Sequence, residues 1–400
     1  MKKGYLSAYF DGIAVKRLSV VETTPQISHQ HEFNGVSQLK EILGANRCIF
    51  SSKFVYLGES EEECVTAIGT VTWYDARENH PKRSEYRLYY QENSVSELAS
   101  EGDLLVIGKL PDNSLLVIIA RANTTFERNI VWLFNLSYGN MGSFAIKEVR
   151  DQDDFKLDFA SKFILEELGI EAIETDENYL DNMIDKFGNV FPSTNVFSAY
   201  ARETISVALE PSNPDDILLI WMEREEMLFK TFEHYIVAER LKQGFENDVD
   251  GFISYSLGVQ NRRKSRVGHA LENHVEQILN DNLISYTRGG KTENNAKPDF
   301  VFPSIKDYHN AGFPASQLAM LGVKSTCKDR WRQVLSEASR IQNKHLLTLQ
   351  PGISENQTKE MQANKLQLIL PKQLHNTYSE NQQTWLMDLS SFLSFIKNQQ

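Results

Sequence analysis

Asp299 follows a proline in KPDFVF, and Lys324 closes the apolar run LAMLGVK. An acid at the start of one extended segment and an ammonium at the end of another suit metal-assisted hydrolysis of a phosphodiester. The carboxylate holds a hard divalent cation, and the lysine steadies developing charge or orients the attacking water. Such a site needs a second acid. In the common arrangement it lies two residues before the lysine, where this chain has Gly322, which offers no ligand. Glu337, thirteen residues beyond Lys324 on an expected helix, is the candidate replacement, with Arg330 expected on roughly the same helix face. Glu272, at the flank of an earlier helix's apolar stripe, would add a third carboxylate.

Basic residues crowd around this set. Lys328, Arg330 and Arg332 follow Lys324, and NRRKSR places Arg262, Arg263, Lys264 and Arg266 just ahead of an expected helix. The formal net charge of -12 disfavours generic binding of nucleic acid, which rests on cations neutralising phosphates. Residues 258–345, however, carry 14 Lys and Arg against 8 Asp and Glu, a positive island suited to a polyanion engaged at one place. Alone, either cluster would be a solvated helix face. Beside the acid and lysine set, Arg262, Arg263, Lys264 and Arg266 read as a grip on backbone phosphates, aided by a helix N-terminus.

The elements that must position these residues fall into two parts. Up to about residue 135 the pattern is extended: RCIFSSKFVYL, CVTAIGTVTWYD, SEYRLYY, DLLVIGKL, SLLVIIARA and IVWLFNL, with PDNS turning one hairpin. Closely spaced strands of this kind predict a barrel or sandwich. Phe155, Phe159, Phe163, Leu165 and Leu168 then mark an amphipathic helix stopped by Gly169. DENYLDNMIDKFGNVFPSTN reads as a polar connector, which puts the boundary near 180 and gives domains 1–180 and 181–400.

In the second part, Asn213, Pro214 and Asp215 open a helix, and Leu271, Val275, Ile278 and Leu279 stripe another over 269–281. Strands are expected at 297–302, 318–324, 345–349 and 366–370, and a helix over 328–343 opened by Thr326 with Asp329 three residues later. This is an α/β core with helices flanking a small mixed sheet. Apolar content of 41%, three cysteines without metal-ligand spacing, and no apolar run of membrane length point to a folded cytoplasmic protein with no membrane partner.

NRRKSRVGHALE, KPDFVFPSIKDYH and LAMLGVKSTCKDRWRQVLSEA, in this order and spacing, resemble the catalytic domain of the EcoRII-type restriction endonucleases over roughly 190–375. The resemblance implies a restriction-endonuclease-like PD-(D/E)xK fold whose second metal acid comes from the helix after the lysine. Asp299 and Glu337 then look like Mg²⁺ ligands and Lys324 like the catalytic lysine. Lys328, Asp329 and Arg330 resemble the triplet that reads C·G pairs, which fits their chemistry: Lys and Arg donate to guanine O6 and N7, and Asp accepts from cytosine N4. VKRLSVVET, the SHQH segment and TVTWYDARENHPKRSEYRLYY resemble, more faintly, the same family's effector domain, a mainly-β B3-like pseudobarrel binding a second DNA copy. Arg83, Glu85 and Arg87, alternating on an expected strand, and His29 would be its DNA contacts; a barrel exterior of ordinary polar residues is the alternative.

The function expected is that of a Mg²⁺-dependent type II restriction endonuclease. It would cut double-stranded DNA at a short palindrome of the CCWGG or CCNGG kind, as a homodimer regulated by the second copy. Two alternatives stay open: a DNA-binding regulator without cleavage, and a nicking or mismatch endonuclease on the same core.

Overall fold

The apolar runs of the first 120 residues form strands, and their burial explains their composition. The computed structural model describes residues 5–23, 31–33, 36–80, 82–136, 144–148, 157–172, 175–205, 213–327 and 330–400. The chain divides into two units, Met1–Ala172 with Gly352–Glu355, and Ile173–Pro351 with Asn356–Gln400.

In the first unit β1 (Gly12–Arg17), β2 (Glu32–Phe33), β3 (Cys48–Leu57), β4 (Val65–Asp75), β5 (Tyr86–Tyr90), β6 (Leu104–Lys109), β7 (Leu115–Ala120) and β8 (Ala145–Glu148) make one sheet. Its order is β2-β5-β4-β3-β7-β6-β1-β8. Only the β3 and β7 pair is parallel among these. The continuous LLVIIA of β7 follows from its central place: Leu115, Val117 and Ile119 enter a core with Phe54 and Trp73, while Leu116, Ile118 and Ala120 face another with Phe134 and Leu165. The expected hairpin is present, with Lys109 opposite Leu115 and Asn113 at φ 67° in the turn.

IVWLFNL, expected as a strand, is helical instead. Helix α1 spans Thr125–Leu133, and the Thr124 hydroxyl accepts the Glu127 N–H at 3.2 Å while Glu127 Oε2 accepts the Asn123 N–H at 2.6 Å. This reciprocal capping commits the segment to a helix before its β-branched residues are reached. Ile130, Leu133 and Phe134 are then buried on one face. Helix α2 (Phe159–Glu167) stops as expected at Gly169, whose φ of +79° suits glycine; Phe155 lies outside the described residues.

The second unit begins with helices where a polar connector was expected. α3 (Leu180–Phe187) and α4 (Thr194–Glu203) bury Met183, Phe197, Tyr200 and Ala201 against Leu228, Phe229 and Phe232 of α5 (Pro214–Gln243). Few apolar residues suffice here because one aromatic-rich face is buried. α5 starts where expected, with the Asn213 side chain accepting the Asp215 N–H at 3.0 Å and Pro214 in the first turn.

The helix expected over 269–281 is the end of a longer one, α6 (Val249–Asp281), so the basic cluster sits in mid-helix and gains nothing from a helix N-terminus. β9 (Thr287–Arg288), β10 (Phe300–Phe302), β11 (Ala319–Lys324), β12 (Lys344–Thr348) and β13 (Leu366–Ile369) form a mixed sheet in the order β13-β12-β11-β10-β9. β9, β10 and β11 pair antiparallel, and β11, β12 and β13 pair parallel. Helices α7 (Ile305–His309), α8 (Trp331–Leu335) and α9 (Leu389–Lys397) are among those that accompany this sheet. Among the described residues no helix is long and apolar enough to cross a membrane.

The helix expected over 328–343 is reduced to the five residues of α8. Arg330 caps it without a side-chain bond, and Asp329 of the expected capping box lies outside the described residues. The chain leaves the helix at Ser336 and passes through Ala338 at φ +49°, so Glu337 stands in a turn, not on a helix face. The carbonyls of Glu337, Ala338 and Ile341 all turn to the buried Lys344 ammonium, a stronger partner than helical N–H groups.

Candidate active site

Antiparallel pairing of β10 with β11 matches Phe300 to Leu321, which brings Asp299 beside the end of β11. Asp299 Oδ2 accepts the Val323 N–H at 2.6 Å and the Lys324 ammonium at 2.7 Å. The two side chains are only 16% and 13% exposed, so the pair is fixed at the sheet edge yet reachable from solvent. Both bonds use one oxygen. Among the described residues no donor meets Oδ1.

Gly322 leaves little room for a side chain two residues before Lys324. A Cβ there would lie 2.9 Å from Val334 Cγ2 and 3.3 Å from Val334 Cγ1, so α8 packs against the strand exactly where the usual acid would project. The same close approach delivers Glu337 at the helix end. Its carboxyl pKa is raised to about 7, first by burial and then by the Asp299 charge, with Lys324 and Lys344 opposing. Glu337 therefore lies in the field of both Asp299 and Lys324. Its Oε2 is buried without a hydrogen-bond partner. An unmet oxygen on each of two neighbouring carboxylates, beside a lysine, matches what a hard divalent cation takes. Three or more metal-ligating side chains are not gathered anywhere among the described residues.

Residues 229–393 match the model of a family described as EcoRII C terminal. Type II restriction enzyme EcoRII of Escherichia coli is 40% identical over 205 residues, which cover 51% of this chain and 50% of that protein. The chain thus spans about half the length of the curated relative it matches. Two solved structures are also similar. Metal-depleted Ecl18kI in complex with uncleaved, modified DNA has a TM-score of 0.46 at 17% identity, covering 56% of this chain and 85% of that one. The PspGI restriction endonuclease with substrate DNA has a TM-score of 0.44 at 17% identity, covering 52% and 93%.

Within the second unit the remaining charged residues are placed differently from one another. Glu272 meets Arg288 of β9 at 2.9 Å, and Arg288 also binds Glu276 at 2.5 Å and Asn273 Oδ1 at 3.0 Å. Because Arg288 pairs with Phe300 across the sheet, this clamp ties α6 to the strand beside Asp299. Arg330 is exposed at the start of α8, while Lys328 and Asp329 lie outside the described residues.

The basic cluster of α6 divides by helical phase. Lys264 is exposed, Arg262 is exposed over the Phe191 ring, and Arg263 bonds the buried Glu233 at 2.6 Å. Arg266 is 4% exposed, lies 3.8 Å from Glu225 and pairs with Glu226. In the first unit Arg83 is exposed and Glu85 precedes β5, so only Arg87 of the expected alternation is on the strand. Glu85 bonds Arg87 at 2.9 Å and Arg77 at 2.5 Å, and His29 lies outside the described residues.

Arg288 and Lys344 were not singled out from the sequence. The charged residues of α6 at 272 and 276 carried a signal for Arg288, since acids one turn apart on a helix need a cation that touches both. Lys344 carried none.

Proposed function

We propose that the chain is a Mg²⁺-dependent type II restriction endonuclease that cleaves double-stranded DNA at a short palindrome containing C·G pairs, of the CCWGG or CCNGG kind. The Asp299 and Lys324 pair at 2.7 Å, with Glu337 in the field of both, is the observation that supports this reading, since binding alone requires no such set. Asp299 and Glu337 would hold the ion, which when bound supplies an activated water and charge neutralisation at the phosphate. Lys324, fixed by Asp299 Oδ2, directs its ammonium at the edge where the scissile phosphate would lie and stabilises charge as it develops. Arg330, with Lys328 and Asp329, would read the C·G pairs, and Arg262 and Lys264 would meet backbone phosphates. A homodimer suits a palindrome.

The eight-stranded sheet of the first unit is read as a B3-like effector domain that binds a second DNA copy through Arg83, Glu85 and Arg87, with His29. Incubation with Mg²⁺ and site-bearing plasmid, followed by sequencing of the fragment ends, tests the reading. Linear products with one recurrent end sequence support it. A gel shift without scission would favour a DNA-binding regulator, and open-circular plasmid a nicking enzyme. Arg83→Ala is expected to remove stimulation by added site DNA and to leave unstimulated cleavage unchanged.

A further inference from the structure

Glu337 holds its place by an unusual means. The backbone that carries it leaves α8 after one short turn and passes Ala338 in the left-handed region, which disfavours a side chain. Two groups of contacts hold this course. On one side Ala338 N–H donates to Thr292 Oγ1 at 3.4 Å, Ser339 N–H to Glu293 Oε2 at 3.2 Å, and Arg340 N–H to the Tyr308 hydroxyl at 3.3 Å. On the other, Lys344 Nζ donates to the carbonyls of Glu337 at 2.5 Å, Ala338 at 3.1 Å and Ile341 at 3.0 Å.

An ammonium has three hydrogens, and here all three serve the segment 337–341 and none the sheet to which Lys344 belongs. The residue is 7% exposed, so solvent offers no substitute. A buried charge spent on three carbonyls of one turn is an expensive way to support a fold that α9 and the sheet already close with apolar contacts. It fixes one thing closely, the direction in which Glu337 leaves the backbone.

We propose that Lys344 is a positioning residue for the metal site: by gathering the carbonyls of Glu337, Ala338 and Ile341 it fixes the turn that aims the Glu337 carboxylate at Asp299. This deepens, and rests on, the reading of Asp299 and Glu337 as the holders of a divalent cation.

The test is Mn²⁺ binding by the full chain without DNA, followed by the electron paramagnetic resonance of free Mn²⁺. Lys344→Met keeps length and removes the donors. It is expected to weaken Mn²⁺ binding by roughly tenfold or more, as removal of a group behind a metal ligand does, while metal-free DNA binding is retained. Leu393→Ala, a core truncation in α9, provides the comparison for lost stability and is expected to bind Mn²⁺ as the parent does. A folded Lys344→Met with the parent's Mn²⁺ affinity overturns the proposal. If that variant does not fold, Lys344→Gln, which is one atom shorter and cannot serve all three carbonyls, is expected to weaken Mn²⁺ binding severalfold, and the parent's affinity in this variant overturns the proposal. Glu337→Ala separates the two levels: if it binds Mn²⁺ undiminished, the metal-holding role of Glu337 falls, and with it the reading on which Lys344 depends.

Discussion

The C-terminal unit contains two centres where acids and bases meet below the surface, and they are finished in opposite ways. In the helical layer His274 Nε2 lies 2.9 Å from Glu225, both side chains fully buried, and Arg202 Nη1 lies 3.1 Å from His274 Nδ1. Arg266 adds its charge beside Glu225 and Glu226. Burial pushes the His274 pKa down against the pull of Glu225. At the sheet edge Asp299 and Lys324 are also paired, but their side chains are 16% and 13% exposed, so solvent reaches this pair as it does not reach Glu225 and His274. Closed centres hold helices in register; an open one is ready for a ligand.

The comparison breaks if removal of a charge from the open centre is felt mainly as lost stability. Lys324→Ala is expected to lower the single-turnover cleavage rate by roughly 10³-fold or more, the scale of losing a group that meets transition-state charge. Affinity for site DNA without cleavage should be nearly unchanged, measured by gel shift in the absence of Mg²⁺. A fall in binding as large as the fall in rate would move Lys324 from chemistry to recognition.

The closed centre should respond the other way. Glu225→Ala leaves Arg266 and His274 buried beside one another without their shared anion, and is expected to cost about 3–5 kcal/mol in urea unfolding. Cleavage per folded molecule should stay within a small factor of the parent. Replacing Glu225, Arg202, Arg266 and His274 together by Leu, Met, Met and Leu is expected to recover most of that loss, because no buried charge of the centre is then left without its partner.

Strands β3 to β7 and β10 to β13 were legible in the sequence because each is rich in β-branched, aromatic or other apolar residues and flanked by turn residues, whereas β1, β2, β8 and β9 were not expected. The start of α5 was legible from Asn213 and Pro214. What failed was decided by tertiary partners or by caps outweighed in the reading. IVWLFNL has strand composition, and only TTFE ahead of it turns it into α1. The end of α8 at Ser336 is set by Lys344, eight residues away in the chain and on another element, so no local pattern forecasts it. The candidate site was read from the sequence as residue types, Asp299, Lys324 and Glu337, with Gly322 standing where the usual acid would be. The geometry was not: a helix face was expected to present Glu337, and a turn does. Arg266 illustrates the same gap, since charge density along NRRKSR says nothing about which side chain the helix turns inward.

A buried base outside both centres sharpens the contrast between charge kept for structure and charge kept for function. His345 of β12 packs against Phe392 at 5.1 Å and Phe395 at 5.2 Å between ring centroids. Burial lowers its pKa from 6.5 to about 4, with the Met320 backbone opposing. The folded chain therefore keeps the ring neutral while the unfolded chain takes up a proton near pH 6.5. This stabilising contribution is complete above about pH 6.5 and is lost as pH falls toward 4, amounting to about 3 kcal/mol over the window. His345→Leu should show a shallower fall in urea stability between pH 7 and pH 5 than the parent. Parallel curves would mean that His345 titrates normally in the fold.

The smallest effect distinguishes residues of one cluster. Arg262 and Lys264 face solvent on α6, whereas Arg266, two residues on, is turned into the closed centre. A cation that neutralises a phosphate releases a counterion, so its loss makes the plot of log affinity against log salt less steep by about 0.9. Arg262→Ala and Lys264→Ala are each expected to reduce the slope by about that amount and to weaken site and non-site DNA alike. Arg266→Met should leave the slope as it is, because its guanidinium already answers Glu225 and Glu226 and is not available to a phosphate. If Arg266→Met flattens the slope as the other two do, α6 must rotate or unravel on DNA, and the centre read here as closed would be one that opens on binding.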